Sequence, residues 1–134
     1  MPAHRKPVGE VRRPKTPPGF RLLPHAGRSG DPPAWPLSAA NAAEKQKWAK
    51  VWTLPQAVEW ERMRCEDEVA VYVRVFVRAM KDPEPKMLNE LRQLDAKIGL
   101  SPRAMLDLRW ETDEAVLEEA AAEEAEVFSY VPDP

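Results

Sequence analysis

The chain lacks most of what catalysis, metal binding or export requires. It holds one cysteine, Cys65, in 134 residues, so no internal disulfide can form and a reducing compartment is favoured. With no histidine near it, Cys65 reads as a small buried hydrophobe. The two histidines, His4 and His25, both fall in a proline-rich arm, which gives a histidine relay or a zinc site no scaffold. Gly99 is the only glycine beyond residue 30, and a phosphate-cradling loop needs several together. No apolar run approaches the about 20 residues of a membrane span, and no secretory signal opens the chain. These absences predict a non-enzymatic protein of the cytoplasm with no cofactor, no metal site and no membrane contact.

What is present is unevenly distributed. The first 36 residues hold nine of the fifteen prolines and four of the five glycines. Residues 1–30 carry seven Lys or Arg against Glu10, a net of +6, whereas residues 111–134 carry nine carboxylates and no cation. The overall charge of −2 therefore hides a basic end and an acidic end. Three segments are predicted: a mostly disordered basic arm over 1–37, a helical core and oligomerisation domain over 38–110, and a partly helical acidic tail over 111–134. A folded part of that size is marginal alone, and association with copies is a common remedy. A polyanion for the arm and a protein partner for the tail are the expected binding classes.

The core pattern is that of an all-α bundle of four to five short helices. Ser38 is the expected N-cap of a first helix running to about Leu54, with Trp48, Val51 and Trp52 on one stripe. Pro55 fits the first turn of a short second helix carrying Ala57 and Trp60. Val69, Val71, Val73, Val75 and Val77 alternate as a strand would, yet Val69, Val73, Phe76, Val77 and Met80 also form a helical stripe. The uninterrupted stretch from Asp67 to Lys81 is long for a strand, which predicts a helix. Met87, Leu91, Leu94 and Ile98 follow a 4-3-4 rhythm on a fourth helix. Gly99 closes it, and Ser101-Pro102 opens a fifth that carries Met105, Leu108 and Trp110 inward. Trp48, Trp52, Trp60 and Trp110 are therefore expected in the core rather than on a base-stacking surface, with Trp35 stapling the arm.

The turn at Gly99 has two readings. Ile98, Leu100, Met105 and Leu108 match the apolar offsets of a DNA-reading helix pair, which gives a small dimeric helix-turn-helix transcription regulator reading through Arg103 and Arg109. Against it, Asp95 stands where such pairs use a small residue, and Asp107 would face the phosphates. The other reading is a helical hairpin that packs on copies of itself. A helical adaptor with no nucleic-acid role is a third possibility.

Some runs are more specific. VWTLPQAVEWER, a valine-rich segment ending in VRAM, and LRQLDAKIGLSPRAMLDLRWE follow a WPL and a basic Pro/Gly-rich start. In that order they resemble the small terminase subunits of tailed bacteriophages, in the form common among phages of high-GC Gram-positive hosts. The resemblance covers about residues 30–111. Pro55 to Glu61 and Gly99 to Trp110 are its sharpest parts. It implies a ring-forming subunit that binds double-stranded viral DNA where packaging starts, in the host cytoplasm, and recruits the large terminase subunit, an ATPase-nuclease. Many such proteins carry an N-terminal DNA-reading helix pair, and here that region is proline-rich. DNA contact is then expected from Arg12, Arg13, Lys15, Arg21, Arg28, Lys45, Lys47 and Lys50. Leu91, Leu94, Ile98, Met105, Leu108 and Trp110 are the expected core and assembly residues, and Phe128 and Tyr130 the docking residues for the large subunit.

Overall fold

The computed structural model describes residues 19–113 and 121–126. It is mostly helical, and its first helix begins later than Ser38. Asn41 is the N-cap of α1 (Ala42–Val51), and its side chain accepts from the Glu44 amide at 2.8 Å while Glu44 Oε1 accepts from the Asn41 amide at 3.0 Å. That reciprocal box satisfies two of the donors a helix start leaves open. Ser38 is drawn elsewhere: its hydroxyl and carbonyl oxygens accept from the Arg74 guanidinium at 3.0 and 2.8 Å.

After Pro55, α2 (Gln56–Met63) runs for two turns and stops at Arg64, which takes a left-handed φ of 56°. The valine-rich segment is a helix, α3 (Glu66–Lys81), with Glu66, Asp67 and Glu68 in its first turn and Arg78 and Lys81 in its last. Both groups of charges complement the helix dipole. Val69, Ala70, Tyr72, Val73 and Ala79 are buried along it, whereas Val71 is exposed, so the 3.6-residue period prevails over the alternating one.

Pro85 occupies the first turn of α4 (Pro85–Ile98), and Gly99 ends it at φ 77°. The amides of Gly99 and Leu100 both donate to the Asp95 carbonyl, at 3.1 and 3.2 Å. A Cβ on Gly99 would lie 2.4 Å from the Trp110 ring, so the position is closed to side chains by space as well as by backbone conformation. Ser101 caps α5 (Pro102–Asp107) by accepting from the Ala104 amide at 3.0 Å.

The helices are joined by an element the patterns above do not contain. β1 (Arg21–Leu23) and β2 (Trp110–Thr112) form a two-stranded parallel ladder in which Arg21 pairs with Trp110 and Leu23 with Thr112. Parallel strands require a crossover, and here the crossover is the whole helical body. Trp110 is therefore buried from a strand and not from α5. The boundary expected at residue 37 moves as well, because residues 19–37 lie on the body instead of forming a disordered arm. Leu23 is fully buried, and Trp35 and Leu37 pack against the core cluster. Three apolar anchors within one proline-rich segment supply the burial that its composition suggested it lacked.

Tryptophan dominates the core. Trp35, Trp48, Trp52 and Trp60 form a continuous edge-to-face series with centroids 5.1, 5.3 and 5.5 Å apart. Trp60 Nε1 donates to the Ile98 carbonyl at 2.7 Å, and Gln56 Nε2 donates to the Gly99 carbonyl at 3.1 Å. These two bonds satisfy carbonyls that the end of α4 leaves open, and they fix α2 against it. Among the described residues, no helix is long and apolar enough to cross a membrane.

Candidate nucleic-acid interface

The cations expected to meet DNA fall into three groups. Arg12, Arg13 and Lys15 lie outside the described residues, as do Phe128 and Tyr130 at the other end. Lys45 and Lys50 are exposed on α1 and remain available to a polyanion. The other three, Lys47, Arg28 and Arg21, each make contacts within the protein.

Lys47 is the clearest correction. Its ammonium sits 3.9 Å from the centre of the Phe76 ring, a cation–π contact that ties α1 to α3. Burial first, and then the charge of Lys50, lower its pKa below the usual lysine value. A half-buried lysine over an aromatic face is a packing residue. Arg28 is similarly held: its guanidinium pairs with Glu61, donates to the Asp31 carbonyl at 3.0 Å and lies over Trp52. Arg21 donates through Nε to Glu59 Oε1 at 2.7 Å, and Arg62 donates through Nε to the other oxygen of the same carboxylate at 2.9 Å.

The sequence pattern alone singles out neither Glu59 nor Arg62. The Glu59 side chain is 3% exposed, while those of Arg21 and Arg62 are 53% and 52% exposed. A buried carboxylate thus holds two largely exposed guanidiniums side by side. Charge alternation along Glu59-Trp60-Glu61-Arg62 gave no hint of this, because Arg21 arrives from β1, 38 residues away. A groove of about 560 Å³ runs beside the pair, lined by Pro24, Gly27, Arg28, Ser29, Val58, Glu61 and Arg62.

A second ionic junction locks the first turn of α1 to α3. Arg74 Nε donates to Glu44 Oε2 at 2.6 Å, and the same guanidinium reaches the Ser38 and Ala39 carbonyls. The Arg74 hydrogen bond holds the Glu44 carboxyl below its ordinary pKa, against the opposing effect of burial. Where α1, α3 and α4 meet, burial raises the pKa of Asp95, whose Oδ1 is buried without a hydrogen-bond partner among the described residues, and Lys47 pulls the other way. Burial and then Asp95 push Tyr72 up to about 12. Cys65 is raised by burial and by Glu68 and Glu66, which makes it a poor thiolate source. Among the described residues, no group of three or more His, Cys, Asp or Glu is placed to hold a metal ion.

As a candidate recognition helix, α5 is short. That helix has six residues, and Arg103 lies 3.4 Å from Asp107 within it. Arg109 falls beyond its end, at a left-handed φ of 59°, next to β2. The two arginines therefore do not share a recognition face.

The expected assembly residues divide differently. Ile98 and Trp110 are fully buried, Leu91, Leu94 and Met105 are half-buried against the core, and Leu108 is exposed. Ile98 is the one fully buried residue of all fourteen in α4. Met87 and Leu88, like Leu91 and Leu94, keep part of their surface open, and Val71 and Met80 of neighbouring α3 are exposed.

Comparison with protein families, with curated proteins and with solved structures found no match to this chain.

Proposed function

We propose that the chain is a small terminase subunit: a non-catalytic protein that binds duplex viral DNA, assembles with copies of itself and recruits the large packaging subunit. The observation that carries this reading is the state of α4. It is a fourteen-residue amphipathic helix whose apolar side, Met87, Leu88, Leu91 and Leu94, keeps part of its surface uncovered within one chain. Val71 and Met80, on opposite sides of α3, are exposed as well, and subunit contacts would cover such apolar groups.

The cationic side of the reading rests on Lys45 and Lys50 and on Arg12, Arg13 and Lys15 of the N-terminal arm. Contacts of this kind neutralise phosphates without reading bases, so affinity falls steeply with salt and specificity comes from several subunits acting together. The resemblance of Pro55–Glu61 and Gly99–Trp110 to small terminase subunits supports the same assignment. The acidic segment with Phe128 and Tyr130 would then engage the large subunit.

Solution mass tests the proposal directly. Light scattering or native mass spectrometry at micromolar concentration is expected to give a closed oligomer larger than a dimer. Leu91→Glu should reduce it to smaller species. A wild-type protein that stays monomeric and ignores duplex DNA at low salt refutes the reading.

A further inference from the structure

The Arg21–Glu59–Arg62 cluster is more elaborate than a tie between β1 and α2 needs to be. One arginine would neutralise Glu59 and anchor the strand, yet two are present. Each contributes a single Nε–H, at 2.7 and 2.9 Å. A guanidinium has five N–H donors in a rigid planar fork, so four remain on each arginine, and among the described residues they have no partner. Both side chains are more than half exposed, so these donors face water.

Charge and order point the same way. Two permanent positive charges share one negative charge, which leaves an excess of one at the site. The shared carboxylate is buried, so both guanidiniums are held in place before any ligand arrives. Side-chain ordering is a large part of the cost of binding through free arginines, and here it is already met. Paired guanidinium forks match the tetrahedral oxygens of a phosphate group, to which they donate bidentately. The groove beside Arg62 is also lined by Ser29 and by Arg28, which pairs with the Glu61 carboxylate on the same lining.

We infer that Arg21 and Arg62, braced by Glu59, form a seat for a phosphate group. Resting on the packaging reading, the phosphate is one of the duplex backbone. The seat lies on the folded body, so it would fix the register of the bound DNA.

Anisotropy of a labelled duplex, measured over a salt series with the full chain, tests the seat. Arg62→Gln is expected to weaken binding about ten-fold, as for loss of one charge-assisted contact, and to lower the salt slope by about 0.9. Its melting temperature should stay close to wild type, because Arg21 still covers Glu59. Arg64→Gln, an exposed neighbour that does not touch Glu59, should bind like wild type. A parallel arm uses inorganic phosphate alone and reads thermal stabilisation. Stabilisation that Arg62→Gln abolishes, with duplex affinity unchanged, keeps the seat but assigns it to a free anion and overturns the duplex assignment. Arg62→Gln equal to wild type in both arms overturns the seat and leaves Glu59 a structural tie, while the packaging reading stands if wild type still binds duplex. Failure of the wild type to bind duplex sinks that reading instead.

Discussion

Docking of residues 19–37 onto the helices can be tested at Gly27, with Gly30 as an internal control. Both glycines have left-handed φ, +83° and +96°. A Cβ built on Gly27 would lie 1.8 Å from the Thr53 carbonyl oxygen, whereas one on Gly30 meets nothing within 4 Å. Alanine at either site costs about 1–2 kcal/mol for the backbone conformation. At Gly27 the obstructing atom is main chain and cannot rotate away, which adds about 1–3 kcal/mol of overpacking. Docking of the segment rests largely on Leu23, worth about 1.5–3 kcal/mol when fully buried, and on the Trp35–Trp48 edge contact, worth about 0.5–1.5 kcal/mol. The two sides are similar in size, so Gly27→Ala should release the segment in a substantial share of molecules while the helices persist. Limited trypsin digestion followed by mass spectrometry reads this as faster cleavage after Arg28, whose side chain is 15% exposed when docked. Gly30→Ala should cleave at nearly the wild-type rate. Equal cleavage of both variants, with equal melting temperatures, would refute the placement of this segment against the Thr53–Leu54 turn.

Two further pairs of substitutions separate effects that a single change would blur. Trp60 and Trp52 are both fully buried, but Trp60 Nε1 donates to the Ile98 carbonyl at 2.7 Å while Trp52 Nε1 has no partner among the described residues. Trp60→Phe should therefore cost about 1 kcal/mol or more beyond Trp52→Phe in denaturant unfolding, and equal costs would contradict the bond. Asp95 and Glu44 should show opposite pH signatures. Burial raises Asp95, so its ionised form opposes folding: Asp95→Asn should stabilise at pH 7, and its advantage should vanish below the ordinary value of 3.8, where the carboxyl is protonated in both states. Arg74 lowers Glu44, so Glu44→Gln should destabilise at pH 7, with the difference shrinking as pH falls below 4.5. Thermal melts from pH 3 to pH 8 check both, and parallel curves for the two variants would defeat the argument.

Helix positions were legible where local chemistry and periodicity agreed. Ser101-Pro102 and Gly99 mark the ends of α5 and α4 because capping, proline and left-handed glycine each act within one turn. The valine run was decided by length, and burial of Val69 and Val73 on one side of α3 agrees with it. The parallel ladder was not legible: each strand has three residues, and its partner lies almost ninety positions away. Proline and glycine content also misrepresented residues 19–37, because it measures the freedom of a chain and not the depth of three anchors. Site chemistry followed the same rule. Exposure of Lys45 and Lys50 follows from the charge pattern of α1, whereas the contacts of Lys47 with Phe76 and of Arg62 with Glu59 depend on packing that periodicity does not encode.

An eight-residue helix connects these features. Gln56 and Trp60 of α2 hold the carbonyls where α4 ends, and Glu59, one position before Trp60, holds Arg21 of β1. Arg62, one turn further on, completes the guanidinium pair. The partly covered apolar side proposed for assembly and the cations proposed to meet phosphate are thus referred to one short segment, through buried bonds to the end of α4 and a buried carboxylate beneath the arginines. Burial makes those attachments stiff, since an unpaired amide, indole or carboxylate would carry its full desolvation cost. Gln56, Glu59 and Trp60, each buried and each bonded to another element, are therefore side chains with little freedom to change.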